Sequence, residues 1–197
     1  PAVVCRAPDW IRLDSQAIEQ GKAKAGPLGW LLLARHAPQG GRIAFPDCIA
    51  RNAGLRGRFH GADFKDLRAP YLMLRASQEE GIRSGIQLRL GEEGGRPTVW
   101  IKRFSKADAE GADLLKRPLA APLAPDREYT LELYLVGLQV VARCNQEIFQ
   151  VALDHESADS GRMALIEHLG PDRFRDVQFI NFDGLSEMEA LKLARME

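Results

Sequence analysis

The sequence lacks features that would point to two large classes of function. It has no basic excess, because 27 Lys and Arg residues balance 27 Asp and Glu residues, and the two signs are interspersed along the chain. Nucleic-acid-binding proteins usually carry a basic patch or stripe, so we expect no nucleic-acid partner. No apolar run approaches the roughly 20 residues of a membrane-spanning helix, so we expect no membrane insertion by this chain.

Cysteine is also scarce. Cys5, Cys48 and Cys144 are an odd number at wide spacings, which gives neither a CxxC metal-binding pair nor a disulfide framework. We expect buried thiols, with a Cys5–Cys48 bridge as the alternative if the protein is secreted. The chain begins at Pro1 with no initiator Met and no leader pattern, so we expect it to be a piece of a longer product.

Patterns typical of known catalytic sites are missing too. No Gly-x-Ser-x-Gly elbow occurs, and the one glycine-rich turn, residues 91–95, is acidic and would repel a phosphate. The four histidines are dispersed, without the short spacings of a preformed metal site. The residues alone therefore argue against an enzyme more than for one.

What the sequence does contain is the alternation of apolar and polar residues that is typical of half-buried strands. In one example, Ile86, Leu88 and Leu90 face one way while Gln87 and Arg89 face the other. Similar patterns predict strands at 49–59, 71–76, 98–104, 128–135, 138–144, 148–153, 162–167 and 174–182. Residues 105–125 are predicted to form a loop with a helical turn at 107–115. Asn145 is expected in a hairpin turn, since Asn tolerates a positive φ.

The C-terminus changes to a helical period. Ser186 and Glu189 form a capping box, which predicts a helix over 187–195. That helix would bury Met188, Leu191 and Ala194 against the sandwich or against a neighbouring domain. We predict one domain over 1–197, with an N-terminal arm at 1–40 containing edge strands and one or two helical turns at 15–20, a sandwich at 41–184 and the helix at 185–197.

The strands from residue 126 onward follow a familiar order: Glu-Tyr-Thr-Leu-Glu-Leu, Leu-Gln-Val, Asn-Gln, an acidic loop, Gly-Arg-Met-Ala-Leu and Phe-Arg-Asp-Val-Gln-Phe. This order resembles the second half of concanavalin A-like jelly-roll domains, especially laminin-G-like and 3-keto-disaccharide-hydrolase-like modules. The resemblance implies an all-β, antiparallel jelly-roll β-sandwich with a short C-terminal helix. The ending also resembles C-terminal modules of bacterial multidomain proteins, including membrane-tethered serine/threonine kinases, which implies an extracytoplasmic or secreted location.

The same resemblance implies a non-catalytic recognition or scaffolding module that binds carbohydrate or protein and is appended to a larger bacterial protein. Two alternatives remain: a glycoside-processing hydrolase of the same fold, and a purely structural accessory domain whose C-terminal helix contacts a neighbouring domain. Glucanases of this fold carry Glu-x-Asp-x-Glu on one strand, with all three carboxylates on one face. Here Thr130 stands between Glu128 and Glu132, so we expect two exposed, non-catalytic carboxylates and name no catalytic residue.

Two sets of residues are candidates for ligand binding. In a jelly roll, aromatic rings stack on sugars while Arg, Lys and Gln bind hydroxyl groups, which makes Gln87, Arg89, Trp100 and Lys102 the candidates for a glycan site. The alternative for Trp100 is a place in the core. The acidic loop after the strand at 148–153 offers hard oxygen ligands for a candidate calcium site, at Asp154, Glu156 and Asp159. A solvated loop without metal is the alternative, and no other cofactor is expected.

Overall fold

The structure, a computed structural model, describes residues 8–19, 23–25, 28, 31–33, 41–61, 71–76, 84–155, 163–168 and 173–196. Within these residues two antiparallel sheets contain all the strands. The eight-stranded sheet contains β1 (Ile11–Arg12), β2 (Ala23–Ala25), β3 (Leu31–Leu33), β5 (Ala53–His60), β10 (Glu128–Val136), β11 (Gln139–Cys144), β12 (Glu147–Ala152) and β14 (Arg173–Asn181). The six-stranded sheet contains β4 (Gly41–Ile49), β6 (Tyr71–Ala76), β7 (Gly85–Glu93), β8 (Arg96–Ser105), β9 (Asp108–Pro118) and β13 (Met163–His168).

The order of the strands is that of a jelly roll. The eight-stranded sheet runs β12-β11-β10-β5-β14-β3-β2, with β1 pairing to β14, and the six-stranded sheet runs β4-β13-β6-β7-β8-β9. Two helices complete the described elements, α1 (Asp14–Glu19) and α2 (Glu187–Met196). The predicted all-β sandwich with a C-terminal helix is therefore confirmed.

The main core lies between the two sheets. Alternate residues of the central strands, such as Leu88, Ile101 and Leu133, point into it and are almost wholly buried. Because side chains alternate between the faces of a strand, the residues between them lie on the outer faces of the sheets. The outer faces are therefore where polar and aromatic residues can meet a ligand.

A second, smaller core covers part of the outer face of the eight-stranded sheet. There α2 packs Ala190 and Ala194, both fully buried, against Tyr134 and Phe182. The predicted capping box is present, since the backbone amide of Ser186 donates to Glu189 over 3.0 Å and the amide of Glu189 donates back to Ser186 Oγ over 3.3 Å. The prediction that Met188 is buried against the sandwich is wrong: this side chain is 79% exposed, because the helix rests on its small alanine side.

One strand prediction and one helical-turn prediction are also wrong. The single strand predicted at 49–59 is two strands in different sheets, because the chain turns after Ile49. The Asp183 carboxylate accepts hydrogen bonds from the backbone amides of Arg51 and Asn52 and holds this turn. The helical turn predicted at 107–115 is part of the edge strand β9, which accommodates Gly111 at a φ of 77° through irregular pairing with β8.

Some described features bear on the other expectations from sequence. Asn145 has a φ of 53° in the β11–β12 turn, as predicted. Cys48 and Cys144 are free and buried thiols, while Cys5 lies outside the described residues. No helix among the described residues is long and apolar enough to cross a membrane.

Candidate functional site

The four residues predicted to bind a glycan lie side by side on the outer face of the six-stranded sheet. Across β7 and β8, Gln87 is paired with Lys102 and Arg89 with Trp100. Directly paired residues of antiparallel strands extend their side chains to the same face. The alternation read from the sequence thus placed these four side chains together, although it did not reveal their contacts.

The pair Arg89 and Trp100 belongs to a longer row of residues that crosses four strands. Tyr71 of β6 is paired with Arg89, and Lys116 of β9 is paired with Trp100. We call Tyr71, Arg89, Trp100 and Lys116 the aromatic–cation row, because rings and cations alternate along it. The Arg89 guanidinium lies 4.8 Å from the Trp100 ring centroid and 5.5 Å from that of Tyr71, and Lys116 Nζ lies 5.9 Å from the Trp100 ring.

These distances are typical of cation–π contacts, which stabilise a cation over an aromatic face. Trp100 is only 7% exposed although it points away from the inter-sheet core. Trp100 is thus buried, as the core alternative expects, but Arg89 and Lys116 lie over its ring, it is outside the inter-sheet cluster, and it is not an open stacking platform. Gly91 lies beneath the Trp100 ring and the Arg89 guanidinium and leaves room for both. A Cβ at this position would be 3.3 Å from Trp100 Cζ3 and 3.4 Å from Arg89 Nε.

Arg89 has hydrogen-bonding capacity that the described residues do not use. Its Nε and Nη2 atoms are buried and have no hydrogen-bond partner. An unsatisfied buried polar group costs about 1–3 kcal/mol, and more when it is charged. The neighbouring rings offset part of this cost, but they accept no conventional hydrogen bond. Because protein atoms cover both nitrogens, a ligand carrying oxygen acceptors would satisfy them only when the partly exposed Arg89 side chain turns outward.

The other two predicted residues are less suited to a ligand. Lys102 Nζ donates to the backbone carbonyl of Glu110 over 3.1 Å and lies 3.5 Å from the Asp113 carboxylate. Gln87 is 3% exposed and has interactions of its own within the protein. The structure therefore centres the candidate site on Arg89 and Trp100.

Sequence reasoning did not find Tyr71 and Lys116. Tyr71 begins a strand that was correctly predicted, and its position in the row depends on the register between β6 and β7. Lys116 lies in β9, which was predicted to be a loop, so its pairing with Trp100 was not expected. A register cannot be read from one strand alone, because it depends on how two strands align.

The candidate calcium ligands are only partly described. Asp154 pairs with Arg103 at the end of β8, and His155 Nδ1 lies 2.9 Å from the same carboxylate. The hydrogen bond from Arg103 lowers the pKa of Asp154. Glu156 and Asp159 lie outside the described residues. Among the residues that are described, no three His, Cys, Asp or Glu side chains group in a way that would hold a metal.

Both carboxylates of β10, Glu128 and Glu132, accept hydrogen bonds from neighbouring side chains. Arg175 Nη2 binds the Glu128 carboxylate through both oxygens, at 2.6 and 2.7 Å. Glu132 Oε2 accepts a hydrogen bond from the Tyr134 hydroxyl at 2.6 Å. The expectation that both carboxylates are exposed is wrong for Glu132, which is 8% exposed. Its side chain lies on the outer face of the sheet beside Tyr134, which belongs to the smaller core under α2.

By sequence, the chain matches no known protein family and no curated protein. By structure, it is similar to a Bacillus subtilis protein of unknown function with a galectin-like fold, with a TM-score of 0.60, 13% identity, and coverage of 89% of this chain and 96% of the other. It is similar to a native glycosidic hydrolase at a TM-score of 0.59 and 9% identity, covering 94% of this chain and 100% of that one.

A third similar structure is the exoplasmic/lumenal domain of VIP36 in its Ca²⁺/Man-bound form. Its TM-score is 0.55 at 10% identity, and the match covers 87% of this chain and 82% of that one. Identities this low establish a shared fold and nothing about a shared ligand. The protein thus has a jelly-roll fold of the concanavalin A-like type.

Proposed function

We propose that this chain is a non-catalytic recognition module that binds a carbohydrate on the outer face of its six-stranded sheet. The ligand lies against the aromatic–cation row, and the partly exposed Arg89 side chain turns outward to donate hydrogen bonds to sugar oxygens beside Trp100. The observation that carries this proposal is the pair of buried Arg89 nitrogens, Nε and Nη2, that have no partner among the described residues. Hydrogen bonds from a charged donor contribute about 1.5–3 kcal/mol, so such a contact accounts for about a tenfold or greater gain in affinity.

The rest of the row has supporting roles. Trp100 and Tyr71 orient the guanidinium through their cation–π contacts with it. Lys116 is held by Glu93 at the rim of the row, where it adds a second donor. A site with rigid aromatic residues and few polar groups is typical of small-ligand recognition.

A glycan array probed with the purified protein, with and without Ca²⁺, tests the proposal. We expect saturable binding to at least one glycan that Arg89→Met and Trp100→Ala both abolish. Arg117→Met is the matched control, because Arg117 is an exposed residue of the neighbouring strand β9, paired with Val99 rather than with the row. Binding that persists in Arg89→Met, or no binding to any glycan, would contradict the proposal.

Comparing glycan binding with and without Ca²⁺ tests whether the acidic loop that begins at Asp154 binds this ion. Binding that requires Ca²⁺ and survives Asp154→Asn would show that the ion acts elsewhere. Release of reducing sugar from an arrayed glycan would instead favour the hydrolase alternative, for which Glu128 and Glu132 are the carboxylates to replace.

A further inference from the structure

A polar cleft of about 460 Å³ opens on the outer face of the eight-stranded sheet, on the opposite side of the sandwich from the aromatic–cation row. This volume lies in the range of roughly 300–1,000 Å³ that small-molecule sites occupy. Its lining includes the side chains of Arg56, Arg58, Thr130, Glu132, Asp176 and Gln178. No sequence motif marks the cleft, because its lining comes from three strands that are distant in the chain.

The register of the three central strands creates the cleft. Arg56 of β5 is paired with Glu132 of β10 on one side and with Gln178 of β14 on the other. Asp176 belongs to a bulge of β14, where the register with β5 shifts, and it has a φ of 52°. Bulges redirect side chains and are over-represented beside binding sites.

The floor of the cleft is held by contacts inside the protein. Arg56 Nε donates to Gln178 Oε1 at 2.8 Å, and the Arg56 guanidinium stacks 3.9 Å from the centroid of the Trp10 ring. On the β10 side, Glu132 accepts from the Tyr134 hydroxyl. At the rim, Asp176 Oδ1 accepts from Arg12 at 2.6 Å. A lining that is already ordered loses little entropy when a ligand binds.

Several polar groups of the lining remain available. The Arg58 guanidinium lies 3.6 Å from Asp176 and 4.0 Å from Glu128, too far for hydrogen bonds, and its side chain is 50% exposed. Within the described part of the chain, the Arg58 guanidinium, the Thr130 hydroxyl and the Gln178 amide nitrogen donate no hydrogen bond. Each carboxylate also retains acceptor capacity, since a carboxylate has about four lone-pair sites.

The balance of donors and acceptors indicates the ligand class. Two arginines and two carboxylates line the cleft. An anionic ligand would be repelled by the carboxylates, and a cationic ligand would be repelled by the arginines. A sugar hydroxyl both donates and accepts, and adjacent hydroxyls match a carboxylate beside a guanidinium. We propose that this cleft is a second ligand site, which binds a neutral saccharide through adjacent hydroxyl groups.

This site is independent of the aromatic–cation row, since the two lie on opposite faces of the sandwich. If both are occupied, one chain can bridge two saccharides. Neither site requires the other, so each is tested by its own variants.

The test is a titration followed by ¹H–¹⁵N correlation spectra, with D-glucose, D-galactose, D-mannose and D-fructose as separate probes. We expect at least one sugar to shift, saturably, the backbone amides of Gly57, Arg58 and Thr130 and the side-chain amide of Gln178. In Arg58→Met and Thr130→Val the affinity should fall about tenfold or more. Arg117→Met should leave it unchanged.

Arg89→Met separates this site from the one in the proposed function. We expect Arg89→Met to leave the shifts of Gly57, Arg58 and Thr130 unaltered. Shifts that vanish in Arg89→Met, shifts that persist at full affinity in both Arg58→Met and Thr130→Val, or the absence of shifts with all four sugars would each overturn the inference.

Discussion

The Arg89 guanidinium lies 4.8 Å from the centre of the Trp100 ring, and the two residues are directly paired across β7 and β8. Two of the guanidinium nitrogens are buried without a hydrogen-bond partner among the described residues. Buried nitrogens without a hydrogen-bond partner lower stability, and the cation–π contacts of Arg89 offset only part of this cost. We interpret Arg89 as a residue that serves binding at a cost to folding.

The packing between β5 and the core under α2 predicts a large effect of a single methyl group. A Cβ at position 54 would lie 2.6 Å from Tyr134 Cδ1 and 2.8 Å from Ile180 Cγ2. Gly54→Ala should therefore lower the free energy of unfolding by about 1–3 kcal/mol, measured by urea denaturation. Gly184→Ala is the matched control, since nothing lies within 4 Å of its added Cβ. Equal stability of the two variants would refute this account of the second core.

The N-terminal cap of α2 predicts a pH-dependent loss of stability. Ser186→Ala should lower the free energy of unfolding by about 1 kcal/mol near neutral pH. Hydrogen bonds from Ser186 lower the pKa of Glu189, so their contribution is present above the ordinary pKa of a glutamate and is lost as the pH falls through the lowered value.

The difference in stability between the wild type and Ser186→Ala should therefore narrow in acid. Denaturation curves collected across the acidic range measure it. Ser15→Ala, at an exposed position inside α1, serves as the control and should change little. If the difference in the free energy of unfolding stays constant as the pH falls, the capping box is not the source of that difference.

The two described cysteines should be unreactive in the native protein. Burial, with a smaller effect of Asp47, raises the pKa of Cys48 to about 11, and burial with Glu147 raises that of Cys144 to about 12. Since the thiolate is the nucleophile, iodoacetamide at about pH 8 should leave both unmodified in peptide mass spectra. Both should be alkylated in urea. Rapid labelling of either in the native state would be inconsistent with the structure.

Much of the fold could be predicted because strand alternation is a local signal. The alternation around Ile86 to Leu90 marked both a strand and its outward face, and it placed Gln87 and Arg89 correctly. The failures occur where a local pattern is ambiguous. Ile49, Ala53, Leu55 and Phe59 share one parity, yet the chain turns between two sheets after Ile49. The turn is held by a distant carboxylate, Asp183, which accepts hydrogen bonds from the backbone amides of Arg51 and Asn52.

The sites were less predictable than the strands because they depend on pairing between strands. The aromatic–cation row needs four strands in register, and one of them, β9, contains Gly111 and a bulge that obscure its pattern. The cleft joins Arg56, Glu132 and Gln178, whose separations in sequence carry no motif. Such constellations become visible only after the sheet has been assembled.

The most direct test of the proposed function compares stability and glycan affinity in Arg89→Met. Methionine keeps an apolar chain against Trp100 but removes the guanidinium with its two buried, unbonded nitrogens. We predict that the melting temperature stays the same or rises, while the affinity for the best glycan on the array falls about tenfold or more. Arg117→Met should change neither. A lower melting temperature with unchanged affinity would show that Arg89 serves the fold, and would contradict the account.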